Sequence, residues 1–248
     1  MQEEIFLKKE VSGMCPTHGE FVGFEINLPN FGYTRKAKCP TCVQLVSANQ
    51  AKGLAAEKNL ALKLGVINAG IPERFRESDF QSFKPKSDGD AKRLNALIDY
   101  ALNFKAKTAK NIFLLGDVDL GKTHLCCALA KELILQGRSV IYSSTTTLLA
   151  AQKDVMFNDG QGTSSEFMTK HTTCKLLILD EFGLSKFTDY EKTFINSVLN
   201  TRYDNMLPTM IVGNVKRQTI VEMIGDRASS RLESSLISIT VDGGVSHG

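Results

Sequence analysis

The sequence predicts an α/β protein: a three-layer sandwich with a central parallel sheet, preceded by a small metal-binding module. Short apolar runs alternate with segments of helical periodicity from residue 111 onward, which is typical of a parallel sheet covered by helices on both faces. One of these runs leads directly into a glycine-rich loop that opens a helix. Before residue 43, two close pairs of Cys and His residues indicate the separate module.

The composition is that of an ordinary globular protein. The chain has 248 residues, of which 42% are hydrophobic and 23% are charged. Its net charge of +3 is too small to indicate nucleic-acid binding by itself. There is no apolar leader and no run long enough to span a membrane, so we expect a cytoplasmic protein without a membrane partner. In that compartment the six cysteines favour metal binding or packing over disulfides.

The glycine-rich loop fits G-x-x-x-x-G-K-[ST], the pattern that binds nucleotide phosphates, and it follows the apolar run Asn111–Leu115. Glycines let the backbone approach a phosphate without a Cβ in the way. Lys122 is expected to reach the β- and γ-phosphates, and Thr123 offers a hydroxyl to Mg²⁺. The predicted nucleotide-binding residues are Gly116, Asp117, Val118, Asp119, Leu120, Gly121, Lys122, Thr123 and His124.

A second run, at 176–181, consists of four apolar residues followed by two carboxylates, Asp180 and Glu181. Ligands bind at the carboxyl ends of parallel strands in open α/β sheets. Asp180 is expected to hold Mg²⁺, directly or through water, and Glu181 to orient and polarise the attacking water. Together with the loop, this pair predicts ATP hydrolysis or ATP-gated binding.

The N-terminal pairs are Cys15 with His18 and Cys39 with Cys42. Two-residue spacing lets both side chains of a pair converge on one metal ion, and Zn²⁺ prefers four such ligands in a tetrahedron. Because all four positions are filled by the protein, the sequence predicts a structural zinc site. A metal-free cluster of thiols is the alternative reading.

The remaining pattern predicts helices at 48–64, 90–104, 146–153 and 189–204, and strands at 21–26, 139–143, 209–214 and 236–241. Gly65, Gly70 and Pro72 are expected to end the first of these helices. The polar residues at the C-terminus are expected to form a loose tail.

Over residues 71–241 the motifs resemble those of AAA+ helicase loaders of the DnaC/DnaI type, to which the transposition ATPase IstB is closely related. The resemblance is carried by the segment 71–75, by the runs 121–125 and 179–183, by Arg202-Tyr203, by Asn214 and by the pattern Gly225-x-Arg227-x-x-x-Arg231-Leu232. It implies the AAA+ fold. None of the residues that follow Arg231 in the sequence is Lys or Arg, and there are 17 of them, so we expect neither a sensor-2 arginine nor the helical lid of many AAA+ proteins.

The resemblance also implies roles for two residues. Asn214 matches sensor 1, which helps to position water against the γ-phosphate. Arg231 matches the arginine finger, which would complete the site of a neighbouring subunit and so implies self-association. Alternatively, Arg227 and Arg231, which share a helix face, are solvated charges. Without a sensor-2 arginine we expect a weak ATPase that DNA or oligomerisation stimulates.

In DnaC-type loaders, residues around the strand that carries the acidic pair contact single-stranded DNA. The matching positions here are Phe157, Thr188 and Tyr190, of which the aromatics could stack on bases. Lys153, Lys186 and Lys192 could follow the DNA backbone. The alternative is that Phe157 and Tyr190 are packing residues.

The resemblance further implies that the zinc module docks onto the hexameric replicative helicase. We therefore expect a helicase-interacting module at 1–47, a helical linker at 48–70 and an AAA+ ATPase domain at 71–248. The expected function is ATP-dependent loading of the replicative helicase onto single-stranded DNA, with ATP, Mg²⁺ and Zn²⁺ as cofactors. An IstB-like transposition helper that assembles on duplex DNA is the alternative. A stand-alone P-loop enzyme such as a nucleotide kinase is disfavoured by Asn214 and the arginine-finger pattern.

Overall fold

The computed structural model describes residues 7–28, 33–118, 120–157, 164–239 and 245–247. The chain divides into two compact units, Met1–Ala61 and Leu62–Gly248. No helix among the described residues is both long enough and apolar enough to cross a membrane.

The first unit contains an antiparallel sheet of three strands, β1 (Leu7–Cys15), β2 (Gly19–Leu28) and β3 (Tyr33–Arg35), in that order. A tight turn joins β1 to β2, and Gly19 adopts the positive φ (77°) that this turn requires. The sequence predicted the core of β2 but not β1. Three consecutive charged residues, Lys8, Lys9 and Glu10, obscure the alternation of β1.

Helix α1 runs from Pro40 to Asn68, so it begins earlier than expected and passes through Gly65. Proline suits the first helical position because its missing N–H would have no partner there. Gly65 does not break the helix, contrary to the sequence expectation. A Cβ at this position would lie 2.6 Å from the Cγ2 of Ile134, so this glycine permits close packing. The chain reverses at Gly70, which has a φ of 81°.

The second unit alternates strands and helices, as the sequence predicted. After a short 3₁₀ turn (Glu73–Phe75), its elements are α2 (Asp88–Leu102), β4 (Asn111–Leu115), α3 (Lys122–Leu135), β5 (Val140–Ser144), α4 (Thr145–Phe157), α5 (Ser164–Thr173), β6 (Leu176–Asp180), α6 (Asp189–Asp204), β7 (Thr209–Gly213), α7 (Arg217–Ile224), α8 (Asp226–Glu233), β8 (Leu236–Ile239) and β9 (Val245–His247).

The strands form one sheet in the order β5-β6-β7-β4-β8-β9. The first five are parallel, and β9 pairs antiparallel with β8. The C-terminal segment 245–247 is therefore a strand, where a loose tail was expected. The adjacent strands β6, β7 and β4 end at the same edge of the sheet, which brings together the residues that follow them.

Both faces of the sheet are covered, which confirms the predicted sandwich. On β4, Ile112 and Leu114 belong to a buried apolar cluster that includes α2 and α3. Phe113 and Leu115 point to the other face and join a cluster that includes α6, α7 and α8. Successive side chains of a strand point to opposite faces, so each strand contributes to both clusters.

Arg202 on α6 is fully buried and fixes several elements at the amino edge of the sheet. Its guanidinium donates hydrogen bonds to the carbonyls of His171 and Cys174, at 2.8 and 3.0 Å. It also donates to the Pro208 carbonyl and the Thr209 hydroxyl, at 2.5 and 3.0 Å. These bonds tie α6 to the end of α5 and to the starts of β6 and β7.

Candidate active site

The loop after β4, the end of β6 and the end of β7 line one cavity of about 600 Å³. Most of the predicted nucleotide-site residues border it, namely Val118, Leu120, Gly121, Lys122, Thr123, His124, Asp180, Glu181 and Asn214. Asp119 lies outside the described residues. The sequence motifs, which are separated by up to about a hundred residues, therefore converge in space.

The loop holds Lys122 close to its own backbone. The Lys122 Nζ donates a hydrogen bond to the Gly116 carbonyl at 2.9 Å and a second one to the carbonyl of Asp117. Gly121 has a φ of 67°, and a Cβ there would lie 2.6 Å from the Phe83 ring. Only glycine fits both the left-handed conformation and this contact.

Asp180 is a buried carboxylate of the cavity, only 4% exposed, and both of its oxygens accept hydrogen bonds. Its Oδ2 accepts a hydrogen bond from the Thr123 hydroxyl at 2.9 Å, and its Oδ1 accepts one from the Glu181 N–H at 2.7 Å. A hydroxyl and a carboxylate side by side are the hard oxygen ligands that Mg²⁺ prefers. The pair Thr123 and Asp180 thus fits the predicted metal role.

Tyr142 on β5 also donates to Asp180 Oδ2, at 2.8 Å, and burial raises the pKa of this tyrosine. This contact was not predicted from the sequence. It depends on β5 lying beside β6, and the spatial order of strands cannot be read from the chain. The Cys126 thiol is a further donor to the same oxygen, at 4.0 Å.

Glu181 is exposed and has a φ of 56°, a conformation that non-glycine residues seldom adopt. Such strain concentrates at functional sites. Asn214, also exposed, follows Gly213, where a Cβ would collide with the Phe182 carbonyl. The glycine therefore allows the ends of β6 and β7 to approach each other, and the acidic pair and Asn214 border the same cavity.

Two further segments border the loop and were not predicted as site residues. Arg74 and Phe75 line the cavity, and they belong to the segment 71–75 that the resemblance singled out without a role. His124 Nε2 lies 3.0 Å from the Asp79 carbonyl and 3.3 Å from the Ser82 hydroxyl. Side-chain contacts between segments this far apart leave no periodic signal in the sequence.

Arg231 is not among the described residues that line the cavity. Its Nη1 donates to Asn200 Oδ1 at 2.8 Å, and its guanidinium carbon lies 5.2 Å from the centre of the Tyr203 ring. It borders a groove together with Asn111 and Pro208, which lie at the amino edge of the sheet. Arg231 therefore cannot reach the cavity of its own chain. Arg227 is exposed on the same helix, α8.

In the first unit, the sulfur atoms of Cys15, Cys39 and Cys42 cluster around His18 Nδ1, and all four ligand atoms lie within 4.8 Å of one another. The S···N distances are 3.6, 3.7 and 3.3 Å, and the Cys15 and Cys42 sulfurs are 3.6 Å apart. Around a tetrahedral zinc ion with Zn–S bonds of about 2.3 Å, neighbouring ligand atoms lie about 3.6 to 3.8 Å apart. The four residues therefore fit a metal of this size.

The thiols of this cluster influence each other's protonation. Hydrogen bonds from the backbone N–H groups of Thr17 and His18 lower the pKa of Cys15 to about 6. The hydrogen bond with Cys15 raises the pKa of Cys42 to about 11. Neighbouring thiolates repel each other, and a dication between them removes this obstacle to ionisation.

The residues predicted to contact DNA lie near α4 and the start of α6. Thr188 is the N-cap of α6, where its side chain and that of Glu191 form a reciprocal capping box. The Tyr190 hydroxyl accepts a hydrogen bond from Gln152 at 2.5 Å, although 41% of the residue is exposed. The Phe157 side chain lies outside those described.

The lysines expected near this surface differ in their surroundings. Lys153 Nζ lies 2.9 Å from Glu191 Oε1, and this hydrogen bond lowers the pKa of Glu191 to about 2. Lys186 is exposed, and Lys192 is half-buried. The charge of Lys153 is therefore already engaged by a carboxylate.

Comparisons with known proteins show the family of the chain. The family model of the IstB-like ATP-binding proteins matches residues 52–231. A relative from Buchnera aphidicola subsp. Schizaphis graminum, named replicative helicase loader DnaC, is 28% identical over 204 residues, which are 79% of this chain and 82% of the relative.

Solved structures share the fold. A crystal structure of the DnaC helicase loader superposes with a TM-score of 0.62 at 20% identity, covering 68% of this chain and 99% of that one. A crystal structure of DnaI superposes with a TM-score of 0.59 at 18% identity, covering 71% of this chain and 94% of the other. The chain therefore belongs to the IstB-like ATP-binding protein family and has the AAA+ fold of the DnaC and DnaI loaders.

Proposed function

We propose that the chain is an ATP-dependent loader of the replicative DNA helicase, which it places on single-stranded DNA when replication begins. The observation that carries the proposal is the convergence of Lys122, Asp180 and Asn214 on one cavity. Relatives named as replicative helicase loaders, which align over most of the chain, supply the biological context.

Each of the cavity residues has a separate role in binding or hydrolysing ATP. Lys122 binds the β- and γ-phosphates, and Thr123 and Asp180 hold Mg²⁺, which neutralises charge on the phosphates. Glu181 orients the attacking water, and Asn214 detects the γ-phosphate. A modest rate of hydrolysis is sufficient, because ATP acts here as a switch for helicase and DNA binding.

The active site is completed between subunits. Arg231 contacts Asn200 and Tyr203 and is not among the described residues that line the cavity of its own chain, which supports a role at the site of a neighbouring subunit. An arginine finger supplied by another subunit typically raises the rate about 10³- to 10⁵-fold. Self-association therefore controls the ATPase.

The N-terminal unit binds zinc through Cys15, His18, Cys39 and Cys42 and docks onto the helicase. A small domain needs such a cross-link because its own apolar core is thin. Exposed apolar side chains on β1 and β2, among them Met14, Val22 and Phe24, offer a surface for a protein partner. In this arrangement 1–47 is the docking module, 48–70 the linker and 71–248 the ATPase domain.

Single-stranded DNA passes near Tyr190, whose exposed aromatic ring can stack on a base, and near position 157 at the end of α4. Thr188 contributes chiefly through the capping box that fixes the start of α6, next to Tyr190. Lys186 and Lys192 supply positive charge, while Lys153 is paired with Glu191.

A transposition helper ATPase that assembles on duplex DNA is the second candidate, because the matching family model is described as IstB-like. That match begins at residue 52, so the Cys and His cluster lies outside it. The two candidate functions differ in whether this cluster binds a helicase.

The test is capture of a purified hexameric replicative helicase by the tagged full chain, with ATP and Mg²⁺. We expect stoichiometric capture by the wild type and loss of capture by Cys42→Ser, with nucleotide binding unchanged. Cys127→Ala, which alters a buried cysteine of α3 away from the cluster, serves as the matched control and should behave as wild type.

Absence of helicase capture, together with ATP-dependent assembly on duplex DNA, would favour the transposition helper. Capture that survives both Cys42→Ser and chelation of zinc would refute the proposed role of the N-terminal unit. The zinc content of the purified chain, measured by mass spectrometry of metals, should be one ion per chain and should fall in Cys42→Ser only.

A further inference from the structure

We infer that Tyr142 is a positioning residue for the metal side of the ATP site, where it holds the Asp180 carboxylate in the orientation that a Mg²⁺ ligand needs. This inference rests on the proposed ATPase function. It starts from the surroundings of a single atom, Asp180 Oδ2, which accepts hydrogen bonds from Tyr142 and from Thr123, at 2.8 and 2.9 Å.

The two donors are not equivalent. Thr123 lines the 600 Å³ cavity and is itself a candidate metal ligand. Tyr142 is not among the described residues that line this cavity, and it is only 7% exposed. It borders a second cavity of about 690 Å³, which Thr123, Asp180 and Glu181 also line. The Tyr142 hydroxyl contacts the 600 Å³ cavity through its hydrogen bond to Asp180, and we expect it to act on a nucleotide there through this carboxylate.

Tyr142 is itself held firmly. Its backbone N–H donates to the Ala69 carbonyl at 2.7 Å, and β5 pairs with β6 along its full length. A Cβ at Gly70 would lie 2.6 Å from the Tyr142 carbonyl oxygen, so the segment before the 3₁₀ turn packs directly against this strand. A rigid donor restricts the rotation of the carboxylate that it contacts.

The expected energetic effect is large enough to measure. A hydrogen bond from a hydroxyl to a carboxylate is charge-assisted and stronger than one between neutral groups. Removing a partner that orients a metal ligand typically lowers metal affinity or activity about 10- to 100-fold. We therefore expect loss of the Tyr142 hydroxyl to weaken the Mg²⁺-dependent part of nucleotide binding and to spare the rest.

The chain provides a matched control in Tyr100. This residue is 8% exposed and donates its hydroxyl to the Lys110 carbonyl at 2.8 Å, but it is not among the described residues of the cavity. Tyr→Phe at either position removes one buried hydroxyl hydrogen bond, to the Asp180 carboxylate in one case and to the Lys110 carbonyl in the other. Only Tyr142→Phe should change the metal dependence.

The experiment measures equilibrium binding of a fluorescent ATP analogue to the full-length wild type, Tyr142→Phe and Tyr100→Phe, at graded Mg²⁺ and in EDTA. We expect the half-saturating Mg²⁺ concentration to rise about tenfold in Tyr142→Phe and to stay within about twofold of wild type in Tyr100→Phe. Affinity in EDTA should be the same for all three proteins. Binding of Mn²⁺, followed by electron paramagnetic resonance, should show the same order.

A Tyr142→Phe titration that superimposes on wild type, or an equal shift in both variants, would overturn the inference. A wild type that binds the analogue without any Mg²⁺ dependence would refute the proposed ATP–Mg²⁺ site and this inference with it. If circular dichroism shows that Tyr142→Phe is unfolded, Tyr142→Met, which fills the space with a flexible apolar chain, replaces it and must show the same tenfold shift.

Discussion

The Thr123 hydroxyl donates a 2.9 Å hydrogen bond to Asp180 Oδ2, which joins the first turn of α3 to the end of β6. The two residues are 57 positions apart in the chain. Two of the oxygen ligands expected for Mg²⁺ are thus held together by the protein. Preorganisation of this kind reduces the cost of assembling the metal site when the nucleotide arrives.

Replacing Thr123 by Ala or by Ser distinguishes the contribution of its hydroxyl from that of the rest of the side chain. Thr123→Ala should lower Mg²⁺-dependent nucleotide affinity by roughly tenfold, because a metal ligand and a partner of Asp180 are both lost. Thr123→Ser keeps the hydroxyl and should remain close to wild type. Isothermal titration with ATP and Mg²⁺ measures both variants, and equal affinities for Ala and Ser would show that the hydroxyl has no such role.

Variants of Arg231 and of Glu181 should restore ATP hydrolysis to each other when they are mixed. Arg231→Ala and Glu181→Gln should each lower ATP hydrolysis by at least about 10²-fold, since one lacks the proposed arginine finger and the other the residue proposed to orient water. A mixture of the two variants should regain activity, because some interfaces combine an intact Glu181 with an intact Arg231. Arg227→Ala, which alters an exposed neighbour on α8, is the control.

Phosphate release from the mixture at a fixed total concentration is the measurement. Activity no greater than that of the separate variants would contradict a site shared between subunits. Arg227→Ala should retain most of the wild-type rate. A loss as large as that of Arg231→Ala would indicate that the helix face as a whole is required.

Arg202 should be critical for stability. Arg202→Met leaves the carbonyls of His171, Cys174 and Pro208 without this donor inside the protein. Each buried group that loses its partner costs about 1 to 3 kcal/mol, so we expect several kcal/mol of destabilisation in urea unfolding. Arg227→Met, at an exposed position, should change stability by about 0.5 kcal/mol or less. Similar midpoints for both variants would contradict the structural role of Arg202.

Glu191 should contribute stability that depends on pH. Its pKa in the folded protein is lowered from an ordinary 4.5 to about 2, chiefly by the hydrogen bond from Lys153. A carboxylate with a lowered pKa stabilises the fold above pH 4.5, and this contribution is lost as the pH falls from 4.5 towards 2. Glu191→Gln should therefore be less stable than wild type at pH 7, and the difference should vanish near pH 2.

Thermal unfolding of wild type and Glu191→Gln across this pH range measures the effect. Glu222→Gln, at an exposed position on α7, controls for the general loss of one negative charge. A stability difference that stays constant from pH 7 to pH 2 would mean that the ion pair and the capping box contribute through something other than the charge of Glu191.

Local pattern predicted those elements whose side chains alternate between core and solvent or are buried throughout. The boundaries of β4 and α6 agree with the expected ones to the residue. Strand β1 was missed because its charged residues hide the alternation. Helix α5 was missed because Ser, Thr and Lys dominate its ten residues. Both elements are held by tertiary contacts more than by propensity.

The loop and the acidic pair were recognisable because their chemistry requires particular residues at fixed spacing. Their partners were not. Tyr142 meets Asp180 only because β5 and β6 are neighbours, and Arg231 lies away from the cavity only because α8 ends at the amino edge of the sheet. Strand order and helix placement are properties of the whole fold, so contacts that depend on them are absent from local sequence.

We propose that ATP bound at Lys122 controls the loading of a helicase onto DNA. The most direct measurement is the amount of purified replicative helicase left on circular single-stranded DNA after washing, with wild type or Lys122→Ala and with or without ATP. We predict ATP-dependent loading by the wild type and none above background by Lys122→Ala. Equal loading by both proteins, or loading by the wild type that does not depend on ATP, would contradict the account.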